Sequence, residues 1–135
     1  YEETDSHWTD IAKFCPKTVD FMENHLRYED YTRVRFMILL PGGWIGPHSD
    51  KDRQGFGATN IAVNNPDGCA LVMENWGTMP FEPGAIMKIN THYNHAVWNR
   101  SSTPRIHMIV DGGMGDYFKD KCVESYKKRG GMLDI

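Results

Sequence analysis

The sequence predicts a mainly β protein, in which about eight short strands form a cupin-like jelly roll or double-stranded β-helix between flanking helices. Three observations predict this class. Short segments of alternating apolar and polar or small residues recur between residues 33 and 111. Turn-forming residues separate these segments at the spacing typical of a sandwich or barrel. Segments with helical character lie on either side, at about residues 16–27 and 116–129.

The predicted helices have recognisable starts. Pro16 suits the first turn of a helix, because its missing N–H would have no partner there. Asp116 can cap the final helix, and Phe118, Cys122 and Tyr126 then fall on one face.

The predicted strands follow one another through the middle of the chain. Strands are expected at about residues 33–40, 58–63, 69–73, 85–89, 95–99 and 105–111. Further extended chain is expected after Gly43 and in a short piece at residues 79–81.

Length and composition bound the class of protein. The 135 residues, 40% of them hydrophobic, are enough for a single domain, 1–135, with its own core. The net charge of −3 and the lack of a basic stripe argue against a nucleic acid as partner. No apolar run approaches the roughly 18 residues of a membrane span, so we expect no membrane insertion.

The three cysteines are Cys15, Cys69 and Cys122. Their odd number and the absence of a C-x-x-C pattern predict free thiols. Free thiols are typical of a reducing compartment, so we expect a cytoplasmic protein.

Two potential metal ligands, His48 and Asp50, stand two residues apart after a proline-glycine turn. In extended chain such residues point the same way, so one imidazole and one carboxylate can converge. They make up two thirds of the 2-His-1-carboxylate triad that holds Fe(II). His95, 47 residues later, opens a predicted strand and can complete the triad. A lone histidine on an apolar strand is more often a core or surface residue, but its companions favour the ligand interpretation.

Arg105 lies ten residues after His95, on the next predicted strand, and shares a face with His107. It can be a strand-edge residue paired with a surface acid. It can also point inward and bind a carboxylate through two parallel hydrogen bonds. An iron enzyme that uses a dicarboxylate needs the second arrangement.

Several stretches together resemble the aspartyl/asparaginyl β-hydroxylase family. LLPGGWIGPHSD at residues 39–50 resembles its APGxxxxPHxD stretch. NPDGC, FEPGAIMKINTHYNHAVWN and PRIHMIVDGG, which begin at residues 65, 81 and 104, are similar to its later blocks in the same order. CPKTVDFM at residues 15–22 resembles the helix that precedes them, so the likeness spans about residues 15–113.

The resemblance implies a non-haem dioxygenase that uses Fe(II), 2-oxoglutarate and O2. It implies hydroxylation of a C–H bond in a small-molecule amino acid or in a residue of a peptide or protein, with release of succinate and CO2. His48, Asp50 and His95 fall on the family's iron ligands. Some family members lack the carboxylate ligand, whereas this chain keeps Asp50.

The resemblance also implies a co-substrate site. Arg105 falls on the residue that anchors the far carboxylate of 2-oxoglutarate, and Asn60 and His107 lie where family members place further co-substrate contacts.

Three other residues are candidates for substrate contact. Trp44 can line the pocket or belong to the core, and His92 and Asn94 can contact substrate or lie in a solvated loop.

Two other function classes stay open. One is a cupin-like metal protein without oxygenase activity, such as an isomerase, and the other is a metal-free β-sandwich interaction domain. Binding of 2-oxoglutarate separates the first from a dioxygenase, and metal content tests the second.

Overall fold

The computed structural model describes residues 7–28, 30–50, 57–113 and 115–128. The chain divides into two compact units, one comprising Tyr1–Thr32 and Gly112–Ile135 and the other Arg33–Asp111. The single domain predicted over residues 1–135 stays a prediction.

The first unit contains the helices. A 3₁₀ helix spans Asp10–Phe14, and α1 spans Pro16–Asp20 with the proline in its first turn, as predicted. The helical path continues without a break as a π-helical segment, Phe21–Leu26. It ends at Arg27, whose positive φ of 51° takes it out of helical geometry.

The final helix, α2, spans Asp116–Lys128 in the described part of the chain. Phe118 is buried and meets the ring of Tyr28 edge-on at 5.4 Å. Cys122 and Tyr126, which follow Phe118 at helical spacing, are exposed. Periodicity identifies residues that share a face, but it does not reveal how far a packing partner extends along that face.

In the described part of the chain, eight strands form two four-stranded antiparallel sheets, as the sequence predicts for a jelly roll or double-stranded β-helix. One sheet has the order β1-β8-β3-β6 and the other β2-β7-β4-β5. The strands are β1 Asp30–Leu39, β2 Trp44–His48, β3 Thr59–Ala62, β4 Cys69–Met73, β5 Gly77–Thr78, β6 Ile86–Lys88, β7 His95–Asn99 and β8 Arg105–Gly113.

The short extended piece predicted at residues 79–81 is preceded by a two-residue strand, β5. The chain turns back earlier, and β5 pairs with β4 through Gly77 and Thr78. Asn75 and Gly77 have φ angles of 66° and 76°, so two left-handed residues close this turn. Such a turn is invisible to a prediction based on apolar alternation.

The core of the second unit lies between the inner faces of its sheets. Leu71 of β4 stands opposite Val97 of β7, and both pack with Ala62 of β3. Met73, Phe81 and Ile89 complete this buried cluster. The cluster borders the candidate site, because Met73 stands opposite His95 in the β4–β7 register.

Two further observations bear on sequence expectations. Cys15, Cys69 and Cys122 form no disulfide, as predicted. Within the described residues, no helix has both the length and the apolar character needed to cross a membrane.

Candidate metal centre

His48, Asp50 and His95 come together in the second unit. Each offers one ligand atom, and these atoms lie within 4.8 Å of one another. His48 ends β2 and stands opposite His95, which begins β7. The two imidazole rings have centroids 4.3 Å apart, and Asp50 follows two residues beyond His48.

A β-bulge directs His48 towards His95. The β2–β7 register pairs Ile45 with Val97 and His48 with His95, so three steps along β2 match two along β7. In a regular strand, residues three apart point to opposite faces. The extra residue in the bulge puts Ile45 and His48 on the same face. Gly46 and Pro47 occupy this irregularity, and proline suits it because it has no N–H for the ladder.

The backbone fixes which nitrogen of each histidine is available. His48 Nδ1 lies 2.8 Å from the carbonyl oxygen of Gly46, and His95 Nδ1 lies 3.0 Å from that of Tyr93. Because a carbonyl only accepts, each Nδ1 carries the hydrogen and each Nε2 keeps its lone pair. Histidines that bind metals are typically oriented in this way.

The backbone of Asp50 is held by a residue that the sequence prediction did not include. Its N–H donates to the carbonyl oxygen of Thr91 over 2.8 Å, and Thr91 is buried. Gly57 approaches the same segment: a Cβ at Gly57 would lie 2.7 Å from the Ile89 carbonyl oxygen and 2.7 Å from Thr91 Oγ1. Gly57 has a positive φ of 101°, a backbone conformation that glycine adopts more readily than other residues.

The donor set fits Fe(II). Two imidazoles and one carboxylate are the 2-His-1-carboxylate donor set with which proteins hold Fe(II). The same three residues were predicted from their spacing.

Arg105, the predicted carboxylate anchor, is 5% exposed at the start of β8. Its Nε donates to Asn65 Oδ1 over 3.3 Å, and its Nη2 donates to His107 Nδ1 over 3.3 Å. Among the described residues, no carboxylate contacts this guanidinium. Burial lowers its pKa, and the nearby Cys69 opposes that shift. A buried cation with neutral partners leaves a place for an anion.

His107 is 1% exposed and lies edge-on to the ring of Phe81, 4.7 Å away. Burial, and then the charge of Arg105, lower the pKa of His107 to about 3. Its Nδ1 accepts from Arg105, so the hydrogen of this neutral ring sits on Nε2. That Nε2 is buried without a partner among the described residues. It is therefore an unused donor.

Asn60, the other predicted co-substrate contact, is also buried. It lies two residues before Ala62, which stands opposite His107 in the β3–β8 register. Asn60 and His107 consequently share a face of this sheet.

The residues predicted to contact substrate lie in different parts of the second unit. His92 and Asn94 lie in the loop that leads into His95, and the Asn94 carbonyl accepts from the N–H of Glu74. Trp44 stands opposite Trp98, which alternates with Val97 and therefore points to the other face of the sheet from His95. The structure does not bring Trp44 to the metal ligands.

A His-Asp-His cluster in a double-stranded β-helix is the arrangement typical of non-haem iron oxygenases. A family model, aspartyl/asparaginyl β-hydroxylase, matches residues 2–113. The chain belongs to this family, which is a family of 2-oxoglutarate-dependent hydroxylases.

Among solved structures, the crystal structure of TT1209 from Thermus thermophilus is similar, with 18% sequence identity and a TM-score of 0.41. The match covers 57% of this chain and 69% of that one. The search of curated proteins found no match.

Proposed function

We propose that this protein uses Fe(II), O2 and 2-oxoglutarate to hydroxylate a C–H bond of an amino acid, either free or within a peptide or protein. The observation that carries the proposal is the convergence of His48, Asp50 and His95 in a fold that also buries Arg105 without an acidic partner among the described residues. The metal cluster alone is compatible with several classes of metal protein. The unpaired guanidinium favours one that also binds a dicarboxylate.

The metal would be held by Nε2 of His48, Nε2 of His95 and the carboxylate of Asp50. When bound, Fe(II) supplies the oxidising chemistry by which 2-oxoglutarate, O2 and a C–H bond become succinate, CO2 and a C–OH group. The chain's own contribution is to orient both imidazoles through the Gly46 and Tyr93 carbonyls, so that each presents Nε2.

The co-substrate would be oriented by residues of β3 and β8. Arg105 would bind the carboxylate far from the metal through two parallel charge-assisted hydrogen bonds. His107 can donate its unused Nε2–H, and Asn60 adds an amide on the same face. Because His107 is neutral, Arg105 supplies the positive charge among these three residues.

A screen for succinate release tests this proposal. The anaerobically Fe(II)-loaded protein is mixed with 2-oxoglutarate, air and a panel of free amino acids and short peptides, and products are examined by mass spectrometry. We expect one class of substrate to stimulate succinate formation and to gain one oxygen atom. His95→Ala is the matched control and should give neither signal.

A protein that holds Fe(II) but neither binds nor consumes 2-oxoglutarate would contradict the proposal. That result would favour a cupin-like metal protein without oxygenase activity.

A further inference from the structure

Two consecutive asparagines after β3, Asn64 and Asn65, contact the start of β8. Asn64 Nδ2 donates to the Pro104 carbonyl over 3.0 Å, and Asn64 Oδ1 accepts from the Ile106 N–H over 2.7 Å. One side-chain amide thus bonds to the backbone on both sides of Arg105. These two hydrogen bonds hold the backbone at the start of β8 in place.

Asn65 acts on the side chain of Arg105 instead. Its Nδ2 donates to the Phe81 carbonyl over 3.2 Å, and this bond orients the amide so that Oδ1 faces Arg105. Oδ1 then accepts from Arg105 Nε over 3.3 Å. His107 Nδ1 accepts from Nη2, so the guanidinium is held at two of its nitrogens by neutral groups.

These contacts leave a defined part of the guanidinium free. A carboxylate that binds across the Nε edge needs the Nε–H, which Asn65 already uses. The two terminal nitrogens keep unused N–H groups, because each carries two and His107 takes only one of those on Nη2. Both partners of Arg105 are uncharged, so its charge also stays uncompensated by the described residues.

We propose that Asn65 is a positioning residue of the dicarboxylate site. It is a neutral acceptor that turns Arg105 so that the terminal nitrogens meet the carboxylate end-on, and its neutrality reserves the charge of Arg105 for the ligand. This inference rests on the proposed function, since it assumes that Arg105 binds 2-oxoglutarate. It predicts that an acid at position 65 would take the place of the ligand's carboxylate.

The first test measures 2-oxoglutarate binding by calorimetry to protein loaded with Mn(II), which avoids turnover. Asn65→Asp should raise the Kd for 2-oxoglutarate by about tenfold or more, because an internal carboxylate then pairs with Arg105. The Kd for Mn(II) should not change. Asn75→Asp makes the same chemical change in an exposed turn and should bind 2-oxoglutarate as wild type does.

A second variant separates the effect of an added negative charge from the effect of losing the hydrogen-bond acceptor. Asn65→Ala removes the acceptor without adding a charge, so its Kd should rise less than that of Asn65→Asp. Wild-type affinity in Asn65→Asp, or an equal or larger loss in Asn65→Ala, would overturn the inference.

A spectroscopic readout does not depend on 2-oxoglutarate. In ligand-free protein, the ¹⁵N-detected Nε–H of Arg105 should exchange slowly with water, and Asn65→Ala should speed that exchange. Arg105→Lys assigns the signal by removing it. Rapid exchange in the wild type would overturn the positioning role.

Arg105→Ala distinguishes a failure of the inference about Asn65 from a failure of the proposed Arg105 anchor. If it weakens 2-oxoglutarate binding while Asn65→Asp does not, the inference fails and the anchor stands. If Arg105→Ala binds 2-oxoglutarate as wild type does, the proposed anchor itself fails.

Discussion

Individual residues in this site are held by contacts that leave one specific atom available. His48 and His95 each give Nδ1–H to a carbonyl two residues earlier, which leaves Nε2 for a metal. His107 gives its Nδ1 lone pair to Arg105, which leaves Nε2–H as a donor. His107 therefore has the opposite tautomer to the other two histidines, and the partner of Nδ1 decides which one each adopts.

Substitution of Arg105 tests its role directly. Arg105→Lys keeps the charge but loses the planar fork, so the KM for 2-oxoglutarate should rise several-fold or more. Arg105→Ala should lose about 2–5 kcal/mol of 2-oxoglutarate binding. Iron binding, measured in parallel, should change little in either variant. Equal 2-oxoglutarate affinity in wild type and Arg105→Ala would remove this residue from the site.

His107 predicts a pH dependence of stability. Its pKa in the folded protein is about 3, below the ordinary 6.5, so the unfolded chain takes up a proton over a range where the folded chain does not. The free energy of unfolding should therefore fall as pH drops from about 6.5 towards 3, by up to about 1.4 kcal/mol per pH unit from this group.

His107→Asn should lack this part of the pH dependence, because its amide accepts from Arg105 but does not titrate. Urea unfolding of the metal-free proteins between about pH 4 and pH 7 provides the comparison. Parallel stability curves for the two proteins would show that His107 is protonated as easily in the folded state as in the unfolded state.

At the scale of elements, the site depends on irregular backbone, both within β2 and in a connection between strands. The bulge at Gly46 and Pro47 turns His48 to the face of His95, and the connection after β6 carries the Thr91 carbonyl that holds Asp50. These features set the site's geometry, and none of them is part of a regular strand.

Asn99 connects several of these elements at the end of β7. It is fully buried, and its Nδ2 donates to the carbonyls of Leu39 and Thr103. Its Oδ1 accepts from the N–H and hydroxyl of Ser101 and from the thiol of Cys69. One amide thus ties the end of β1, the start of β4 and the turn before β8 together.

Gly57→Ala tests the contact between the chain before β3 and the segment that holds Asp50. A Cβ there would meet the backbone of Ile89 and the side chain of Thr91, in addition to the cost of a positive φ. Gly84→Ala is the control, because Gly84 also has a positive φ but nothing within 4 Å of its added Cβ. The control should cost about 1–2 kcal/mol of stability, and Gly57→Ala should cost more.

Gly57→Ala should also weaken metal binding, because displacement of Thr91 moves the carbonyl to which Asp50 donates. Urea unfolding and calorimetric Mn(II) titration measure the two effects. Equal losses of stability in both variants, with equal Mn(II) affinity, would contradict this role for Gly57.

At the scale of the whole molecule, the sequence predicts the fold class well. The strands at residues 69–73 and 95–99 match β4 and β7 residue for residue, because turn-forming segments bound the apolar alternation on both sides. The two-residue β5 could not be predicted in the same way, since its position depends on backbone angles in the preceding turn.

The candidate site could be predicted where residues with suitable side chains lie close together in the sequence. His48 and Asp50 stand close in the sequence, and Arg105 and His107 share a strand face, so local geometry brings each pair together. The supporting role of Asn65 was not predicted, because it depends on a contact with Arg105, which lies 40 positions later in the sequence. Alternation also could not assign Trp44 to a face until the register with β7 was known.

The binding of iron by wild type and two variants tests the central claim most directly. Equilibrium dialysis against Fe(II) without oxygen, with circular dichroism to check the fold, should find one iron per wild-type chain. It should find little in His48→Ala or His95→Ala, although both remain folded. Full iron occupancy in folded His95→Ala, with wild-type turnover, would contradict the assignment of His48, Asp50 and His95 as the metal centre.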